Sequence, residues 1–587
     1  MNWNTLDLSL NGLAEHYRRG DFRPDDLCHY LLEKCKEYQH KNIWIYLLSE
    51  AELSPYLEAL SNSSCDDLPL YGVPFAVKDN IDLAGVPTTA GCPEFAYTPD
   101  VHAFVVGKLI SAGAIPLGKT NLDQFATGLV GTRSPYGVCR NAFNDDFISG
   151  GSSSGSAVAV ALELVSFSLG TDTAGSGRVP AAFNNLVGLK PTRGALSTRG
   201  VLPACRSLDC VSIFSRRCDE VLRLFDLCQA FDIEDDYARH FCDSQWPGPV
   251  AGTRLRVAIP VKEQLIFFGN DDAAALFYSA VARLDGLGFE LVEKDFSPFF
   301  EAARLLYDGP WLAERYAVVA DFRRVHPHAL HPVVENVIAP AQEMKTVNAF
   351  ESEYKMQSYR RRVERLFEDC HAALTPTAGT MYRIADVLAD PVELNSKLGY
   401  YTNFMNLLDL AAVAVPAGIL PSGMPWGVTL FGPAGSDRFL INMAARFNAE
   451  PPLPARSDDW IPLAVCGAHL SGQPLNSQLL EHKGVLLEKS QTADCYRLFA
   501  LDCGSLQRPG LFRAEAGGVS IAVELWALPA SEIGGFIAAI PTPLGVGKLE
   551  LVDGRWVSGF ICEAYGLDGA EDISSYGGWL EYLDSSR

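Results

Sequence analysis

The sequence has no long apolar run and no leader-like N-terminus. No uninterrupted apolar segment reaches the about 18 residues that a membrane-spanning helix needs, because glycine, proline or charge breaks even the longest. The N-terminus "MNWNTLDLSL" lacks a basic stretch followed by an apolar one, which argues against a signal peptide. We therefore expect no membrane partner and a cytoplasmic location.

Basic residues are scarce compared with acidic ones. The 587 residues contain 48 Lys and Arg against 71 Asp and Glu, which gives a formal net charge of -23. An acidic surface of this kind repels phosphate backbones, and no cluster of Lys and Arg supplies a local basic stripe. The composition therefore predicts no nucleic-acid partner.

The cysteines show no pairing or metal-binding pattern. There are 15 of them, an odd number, and they are scattered without any C-x-x-C spacing. Most are interpreted as small core hydrophobes. We expect no metal site and no cofactor.

The composition is that of a globular protein, with 48% hydrophobic and 20% charged residues, and the length exceeds what one core accommodates. Alternating strand, glycine-turn and helix patterns up to about residue 450 predict an α/β fold with a mixed β-sheet. After that point, alternating segments separated by Gly and Pro predict a smaller β-rich C-terminal domain. The proline-rich and charged segment "EPPLPARSDDW" lies between them. The predicted organisation is a domain at 1–450, a linker at 451–460 and a second domain at 461–587.

Two clusters of small hydroxyl residues flank one apolar segment between Gly150 and Pro180. "GGSSSGS" runs directly into "AVAVALELVSFSLG", which is apolar on all sides and must be buried, so a flexible linker is disfavoured. A phosphate-binding loop would need G-K-[ST], which is missing. Gly151-x-Ser153-x-Gly155 matches the nucleophile elbow of α/β-hydrolases, but the preceding "RNAFNDDFIS" is too polar for the buried strand that an elbow requires.

Lys78 stands at the end of the predicted strand "VPFAVK", well before the two serine clusters. A buried lysine has a lowered pKa and can act as a neutral base, and a hydroxyl placed between it and a nucleophile can relay the proton. The second cluster, "GTDTAGSGR", supplies consecutive N–H groups next to Ser176, as an oxyanion hole requires. The residues by themselves thus indicate one attacking serine and one relaying serine.

The three blocks "VPFAVKDN", "GGSSSGS" and "GTDTAGSGRVP", in this order, resemble the amidase signature family of Ser-Ser-Lys hydrolases. The 24-residue step from Ser152 to Ser176 matches that family too. The resemblance implies that Ser176 is the nucleophile, that Ser152 is a bridging serine held by a cis peptide bond, and that Lys78 is the base. It implies a mixed sheet wrapped by helices over roughly residues 1–450, and it assigns the oxyanion donors to the backbone amides of Thr173, Ala174, Gly175 and Ser176.

Further segments are similar to the allophanate hydrolases within that family. They are "LLYDGPWLAERYA" and, near the C-terminus, "PGLFR", "VELWALP" and "GGWLEY". The resemblance implies hydrolysis of allophanate with release of ammonia and formation of N-carboxycarbamate, which goes on to carbon dioxide and ammonia. It implies that Tyr307 and Arg315 hold the substrate carboxylate, and a bidentate guanidinium suits that task.

The same resemblance gives the C-terminal part a γ-glutamyl-cyclotransferase-like domain, in which His469 takes part in processing the product. It also suggests a homodimer and a functional link to urea carboxylase. Considered without the resemblance, a single arginine on a helix is most often a solvated charge, and a histidine after a glycine turn is often structural.

Two other functions stay open. The chain could be a different amidase-signature enzyme, acting on a small carboxylated or aliphatic amide or, as part of an amidotransferase, on charged tRNA. The tRNA function is disfavoured by the absence of a basic run, and it leaves the C-terminal domain unexplained. Alternatively, the chain could be a silent scaffold for a urea-carboxylating partner. The presence of Lys78, Ser152 and Ser176 argues against silence.

Overall fold

The described residues of the chain form two compact units. The computed structural model describes residues 3, 6–239, 254–451, 453, 460–482, 484–501 and 507–585. The first unit holds the described residues up to Leu453 apart from Arg254, and the second holds Arg254 and the residues from Trp460 onward. Most of the predicted linker 451–460 lies outside the described residues. The predicted domain boundaries therefore stay predictions.

One mixed β-sheet of eleven described strands is the centre of the first unit. In chain order these strands are β1 (Trp44–Leu47), β2 (Pro74–Lys78), β3 (Ile115–Thr120), β4 (Phe167–Asp172), β5 (Val187–Lys190), β6 (Cys210–Ser215), β7 (Arg256–Pro260), β8 (Glu290–Lys294), β9 (Ala372–Pro376), β10 (Leu410–Ile419) and β11 (Pro425–Pro433). Their spatial order is β1-β3-β2-β4-β6-β5-β10-β11-β9-β7-β8. The β2 strand runs parallel to both β3 and β4, whereas β6 runs antiparallel to β4. The predicted α/β fold with a mixed sheet is thereby confirmed.

Helices pack around this sheet. They are α1 (Leu10–Arg19), α2 (Pro24–Glu37), α3 (Glu50–Ala59), α4 (Phe104–Ser111), α5 (Ser154–Ala161), α6 (Val179–Phe183), α7 (Cys218–Cys228), α8 (Asp271–Gly286), α9 (Ser297–Asp308), α10 (Trp311–Val325), α11 (Pro332–Ile338), α12 (Thr346–Phe367), α13 (Ile384–Ala389), α14 (Glu393–Leu398), α15 (Phe404–Leu407) and α16 (Asp437–Phe447). Every residue of β2 is buried, as expected for a central strand with both faces covered. Gly113 lies in the turn between α4 and β3, and its φ of +98° favours glycine.

The serine-rich segment forms the buried helix α5. All its residues except the last, Ala161, are buried, which agrees with its apolar character on every side. Its first turn lies against neighbouring backbone, since a Cβ at Gly155 would be 2.3 Å from the carbonyl oxygen of Ile43. Small residues are therefore required here for close packing.

The second unit is β-rich, as predicted. Its strands are β12 (Trp460–Val465), β13 (Val485–Gln491), β14 (Tyr496–Leu501), β15 (Arg508–Arg513), β16 (Ala522–Pro529), β17 (Leu544–Glu550), β18 (Trp556–Cys562) and β19 (Glu571–Asp572). They form a five-stranded sheet, β13-β16-β12-β18-β17, and a three-stranded sheet, β15-β14-β19.

The described residues of the second unit also form three helices, although the alternating pattern of this part of the sequence predicts strands. They are α17 (Asn476–Glu481), α18 (Ala530–Ala538) and α19 (Trp579–Ser585). All three are short, so each offers too few turns for a helical period to stand out against the alternating strands around it.

No helix among the described residues of either unit is both long and apolar enough to cross a membrane. The same residues contain no group of three or more His, Cys, Asp or Glu side chains placed to hold a metal ion.

Candidate active site

Lys78 lies at the carboxyl end of β2, in the first unit. Its side chain is fully buried. The ammonium nitrogen is 2.8 Å from Ser152 Oγ and 2.7 Å from Thr171 Oγ1. Thr171 is on the neighbouring parallel strand β4, so the sheet itself brings this hydroxyl to the lysine.

Burial controls the protonation of Lys78. Loss of hydration lowers its pKa to about 7, although the carboxylates of Asp123, Asp209 and Asp172 oppose this shift. A lysine with a pKa near 7 has a substantial neutral fraction at physiological pH and can accept a proton.

The two predicted serines are in direct contact. Ser152 Oγ lies 2.9 Å from Ser176 Oγ, and both residues are buried. Lys78, Ser152 and Ser176 thus form one continuous hydrogen-bonded chain. The peptide bond between Gly151 and Ser152 is cis, as the family resemblance implies.

Ser153, the serine of the apparent nucleophile-elbow match, has a different role. Its hydroxyl donates to the carbonyl of Thr171 at 3.1 Å and accepts from the N–H of the same residue at 3.3 Å. No named strand covers the described residues 140–149 before it, so the elbow geometry is absent there. Ser153 therefore joins α5 to β4 and does not act as a free nucleophile.

A buried carboxylate organises the loop that carries Ser176. Asp172 accepts hydrogen bonds from the N–H groups of Gly175 and Gly177, both at 2.9 Å. It also forms a bidentate ion pair with Arg178, with both N···O distances at 2.9 Å. Burial is the largest single influence and would raise the pKa of Asp172, but Arg178, Lys190 and the Gly177 N–H together outweigh it, so the net pKa is lowered.

Gly175 differs from the other predicted oxyanion donors. Its N–H donates to Asp172 Oδ1 and is not free in this structure, and its assignment as an oxyanion donor stays a prediction. Within the described part of the chain, the N–H groups of Thr173, Ala174 and Ser176 donate to no protein acceptor. Gly175 is needed for another reason: its φ is +128°, and a Cβ there would lie 2.4 Å from Thr402 Oγ1.

Arg315 and Tyr307, predicted to hold a carboxylate, lie close together. Arg315 is on α10 and only 4% exposed, so it is not the solvated charge that a lone helical arginine usually is. Its guanidinium carbon is 5.7 Å from the centre of the Tyr307 ring on α9, a cation–π distance.

The guanidinium of Arg315 is poorly satisfied within the protein. Its only hydrogen bonds to described residues are long, 3.5 Å to the carbonyl of Ala126 and 3.4 Å to Thr127 Oγ1. Its Nε is buried without a hydrogen-bond partner among those residues. Since a buried charge normally needs a counterion, this arginine has unused capacity to bind an anion.

A model of the Amidase family matches residues 26–441, well over half of the chain. The chain belongs to the amidase family. Residues 461–584 of this amidase match the model described as allophanate hydrolase C-terminal domain. The family and the appended domain that the sequence predicts are thereby confirmed.

Sequence comparison with individual proteins extends this result. The urea amidolyase of Saccharomyces cerevisiae is 43% identical over 578 residues, which are 92% of this amidase and 31% of that protein. The chain thus spans about a third of the length of that relative. A glutamyl-tRNA(Gln) amidotransferase component of Symbiobacterium thermophilum is 34% identical, with coverage of 64% of this chain and 82% of that protein.

Solved structures agree with the sequence comparison. The allophanate hydrolase of Kluyveromyces lactis is 41% identical, with a TM-score of 0.74 and coverage of 99% of this amidase and 100% of that chain. The urea amidolyase of K. lactis has the same TM-score at 42% identity and covers 99% of this amidase but 37% of that chain.

Several polar residues around Lys78, Ser152 and Ser176 are absent from the sequence-based assignment. Thr171 and the pair of Asp172 and Arg178 fall within the quoted block "GTDTAGSGR", where the sequence alone assigns them no role.

Asp123 lies outside the quoted blocks, yet its carboxylate accepts three N–H groups at 2.9 to 3.0 Å, from Val130, Gly131 and Arg133. The partners of Asp123 are backbone N–H groups, and a motif of side chains does not reveal such contacts.

His469 belongs to the second unit of the amidase and is half-buried there. Its ring stacks on Phe560, with centroids 4.9 Å apart, and its Nε2 is 3.0 Å from Gln478 Oε1. Burial lowers its pKa, so the imidazole is neutral near pH 7. It lines a cavity of about 50 Å³ together with Gln478, Phe560 and Arg508.

Proposed function

We propose that this chain hydrolyses the terminal amide of allophanate and releases ammonia, with Ser176 as nucleophile, Ser152 as proton relay and Lys78 as base. The observation that carries the proposal is the buried chain of 2.8 Å and 2.9 Å contacts from Lys78 through Ser152 to Ser176. The likeness to the K. lactis allophanate hydrolase over 99% of the chain supports the choice of substrate.

In the first step, Lys78 is neutral and the two hydroxyls turn so that Ser176 donates to Ser152 and Ser152 donates to Lys78. Ser176 Oγ attacks the amide carbon while its proton passes through Ser152 to the lysine. The free N–H groups of Thr173, Ala174 and Ser176 stabilise the negative charge that develops on the carbonyl oxygen.

In the second step, the C–N bond breaks and the proton on Lys78 returns through Ser152 to the leaving amine, which departs as ammonia. Water then attacks the acyl-enzyme. Its proton passes through Ser152 to Lys78 and returns by the same route to Ser176 Oγ as the acyl group leaves. The product is N-carboxycarbamate and Ser176 is regenerated. Hydrolysis gives the monoanion of N-carboxycarbamate together with ammonia. Transfer of its remaining acid proton to ammonia yields the dianion and ammonium, so atoms and charges balance with one water consumed.

The substrate carboxylate is assigned to Arg315 and Tyr307. Allophanate is an anion, and the chain as a whole has a charge of -23, so a fixed cation is needed to bind it. The buried and poorly satisfied guanidinium of Arg315 supports this role. A cation that is always charged keeps the site selective for carboxylated amides across the working pH range.

The cavity of the second unit is proposed to act on N-carboxycarbamate. Arg508, on the wall of this cavity, has a buried Nε without a hydrogen-bond partner among the described residues. A dianionic product suits such a guanidinium, and neutral His469 is placed beside the same cavity to exchange a proton during decarboxylation. The expected products are carbon dioxide and carbamate, which releases the second ammonia.

The alternative function is hydrolysis of another small amide by the same triad. The match to the glutamyl-tRNA(Gln) amidotransferase covers 64% of this chain and leaves more than a third of it unexplained. A homodimer, a cytoplasmic location and a functional link to an enzyme that carboxylates urea stay predictions. The link is chemically reasonable because allophanate is carboxylated urea.

One experiment tests the substrate. Ammonia release by the purified chain is measured side by side on allophanate, urea, biuret and malonamate. We expect rapid release from allophanate, slower release from malonamate because it has a carboxylate, and none from urea or biuret, which lack one. Preference for a neutral amide would favour the alternative.

A further inference from the structure

Residues 173–178 carry the proposed oxyanion donors and are called the oxyanion loop. Asp209 is a buried carboxylate beside this loop. It immediately precedes β6, and the register of β4 and β6 pairs Asp172 with Cys210. The next positions along this antiparallel pair are Thr173 and Asp209, so the sheet brings these two residues together. Asp209 is 4% exposed.

The contacts of Asp209 tie the oxyanion loop to a second segment of chain. The Thr173 hydroxyl donates to Asp209 Oδ1 in a short hydrogen bond. On the other side, the Ala204 N–H donates to Oδ2 at 2.7 Å and the Cys205 N–H donates to Oδ2 at 3.2 Å. All these partners are donors, so a deprotonated carboxylate fits the position.

The charge of Asp209 has no direct counterion. Among the described residues it makes no ion pair, in contrast to Asp172, which has Arg178. Burial raises the pKa of Asp209 to about 6, although the Thr173 hydroxyl and the charge of Arg315 oppose that shift. A buried charge without an ion pair is costly, and such groups are found preferentially at functional sites.

We propose that Asp209 is a positioning residue for hydrolysis, which holds Thr173 so that the N–H of this residue stays aimed at the reacting carbonyl oxygen. The proposal rests on the function proposed above. Asp172 fixes the loop from Gly175 to Arg178, and Asp209 fixes it at Thr173, so two carboxylates hold both ends. An oxyanion hole works because its donors are fixed before the reaction.

Asp209 also acts on Lys78 through its charge. The charged groups that face Lys78 are Asp123, Asp172 and Asp209, which raise its pKa, and Arg315, which lowers it. Removal of the Asp209 charge therefore lowers the pKa of Lys78 further. A shift in the pKa of Lys78 therefore distinguishes a role that depends on the charge of Asp209 from a role in packing alone.

The test compares the wild type with Asp209→Asn, Thr173→Val and Thr173→Ser on allophanate. Loss of a group that orients a metal ligand typically costs about 10- to 100-fold, and by analogy we expect a loss of this size in kcat for Asp209→Asn and Thr173→Val. KM should stay within about twofold, because the oxyanion forms only after binding. Thr173→Ser keeps the hydroxyl and should retain wild-type rates.

Two further readouts belong to the same experiment. The acid limb of the pH profile should move to lower pH in Asp209→Asn. The double variant of Asp209→Asn and Thr173→Val should be no slower than the slower single variant, because both act through one contact.

Asp437 provides a matched control. Its buried carboxylate also accepts from a threonine hydroxyl and a backbone N–H, those of Thr192, and burial raises its pKa. It is not among the charges that face Lys78. Asp437→Asn should leave kcat and the acid limb unchanged, even if thermal stability falls.

Wild-type kcat in Asp209→Asn, an unmoved acid limb, or additive losses in the double variant would overturn the proposal. If Asp209→Asn does not fold, the contrast between Thr173→Val and Thr173→Ser decides, because equal rates would overturn it. A wild-type chain that releases no ammonia from allophanate is a distinct outcome, which removes the proposed function itself.

Discussion

Lys78 Nζ lies 2.8 Å from Ser152 Oγ, although the two residues are 74 positions apart in the chain. The other hydrogen bond of this ammonium goes to Thr171, and Ser176 is reached only through Ser152. A proton that leaves Ser176 therefore has a hydroxyl, and not the lysine itself, as its first acceptor.

Replacement of the nucleophile should abolish the chemistry. We expect Ser176→Ala to lower ammonia release from allophanate by at least about a thousandfold, because loss of an attacking hydroxyl removes the covalent route. Ser153→Ala is the control, since among the described residues the Ser153 hydroxyl bonds only the backbone of Thr171. It should stay active and lose about 1 kcal/mol of stability. Comparable activity in Ser176→Ala and wild type would contradict the assignment.

Lysine at position 78 should not be replaceable by arginine. Guanidinium does not lose its proton in proteins, so Lys78→Arg cannot accept the proton of Ser152. We expect loss of activity at every pH from about 6 to about 10. Lys108→Arg, an exposed exchange of the same kind, should behave as wild type. Retained activity in Lys78→Arg would show that another group is the base.

The pH dependence of the wild type should report the lowered pKa of Lys78. The active form is the neutral amine, so kcat/KM should rise with pH and reach half its maximum near the pKa of about 7. An unperturbed lysine would give a limb near about pH 10. A limb at that alkaline position would mean that burial does not control this group.

Arg315 should determine selectivity for charged amides. In Arg315→Ala the substrate carboxylate enters a buried site without its counterion, at a cost of about 2 to 5 kcal/mol in kcat/KM. The loss should be much smaller for a neutral amide of similar size. Arg315→Lys keeps the positive charge but not the bidentate fork. Its kcat/KM on allophanate should therefore lie between those of the wild type and Arg315→Ala. Equal losses on both substrates would indicate a structural role only.

The second unit should be separable from the first ammonia release. All three triad residues and Arg315 precede the predicted linker, so a chain that ends near Ser457 should fold and release the first ammonia normally. The second ammonia and carbon dioxide should appear more slowly, and His469→Ala should give the same result.

His482→Ala is the control for this prediction, because His482 packs against Phe536 in the same unit but does not line the cavity. The measurements are time courses of both products, taken at a pH where spontaneous decay of the carbamate is slow. Time courses of the truncated chain that coincide with those of the full chain would remove the proposed role of His469.

The sequence by itself determined the order of the secondary-structure elements and the three sequence blocks that carry Lys78, Ser152 and Ser176. The strand that ends at Lys78, the buried segment after Ser152 and the glycine-rich turn at Ser176 are local patterns of period and residue size, so they can be read without a structure. The exclusion of the elbow at Ser153 was also available from the polarity of the preceding segment. The family followed from the same blocks.

Only the tertiary structure decided which groups are free and which are engaged. The N–H of Gly175 looks like an oxyanion donor in the motif, but Asp172 accepts it. Arg315 looks like a surface charge on a helix, but it is buried against Tyr307. Asp209 meets Thr173 because β6 lies beside β4. Burial and hydrogen bonding depend on neighbours that are remote in the chain, and pKa values follow from both, so no local pattern contains them.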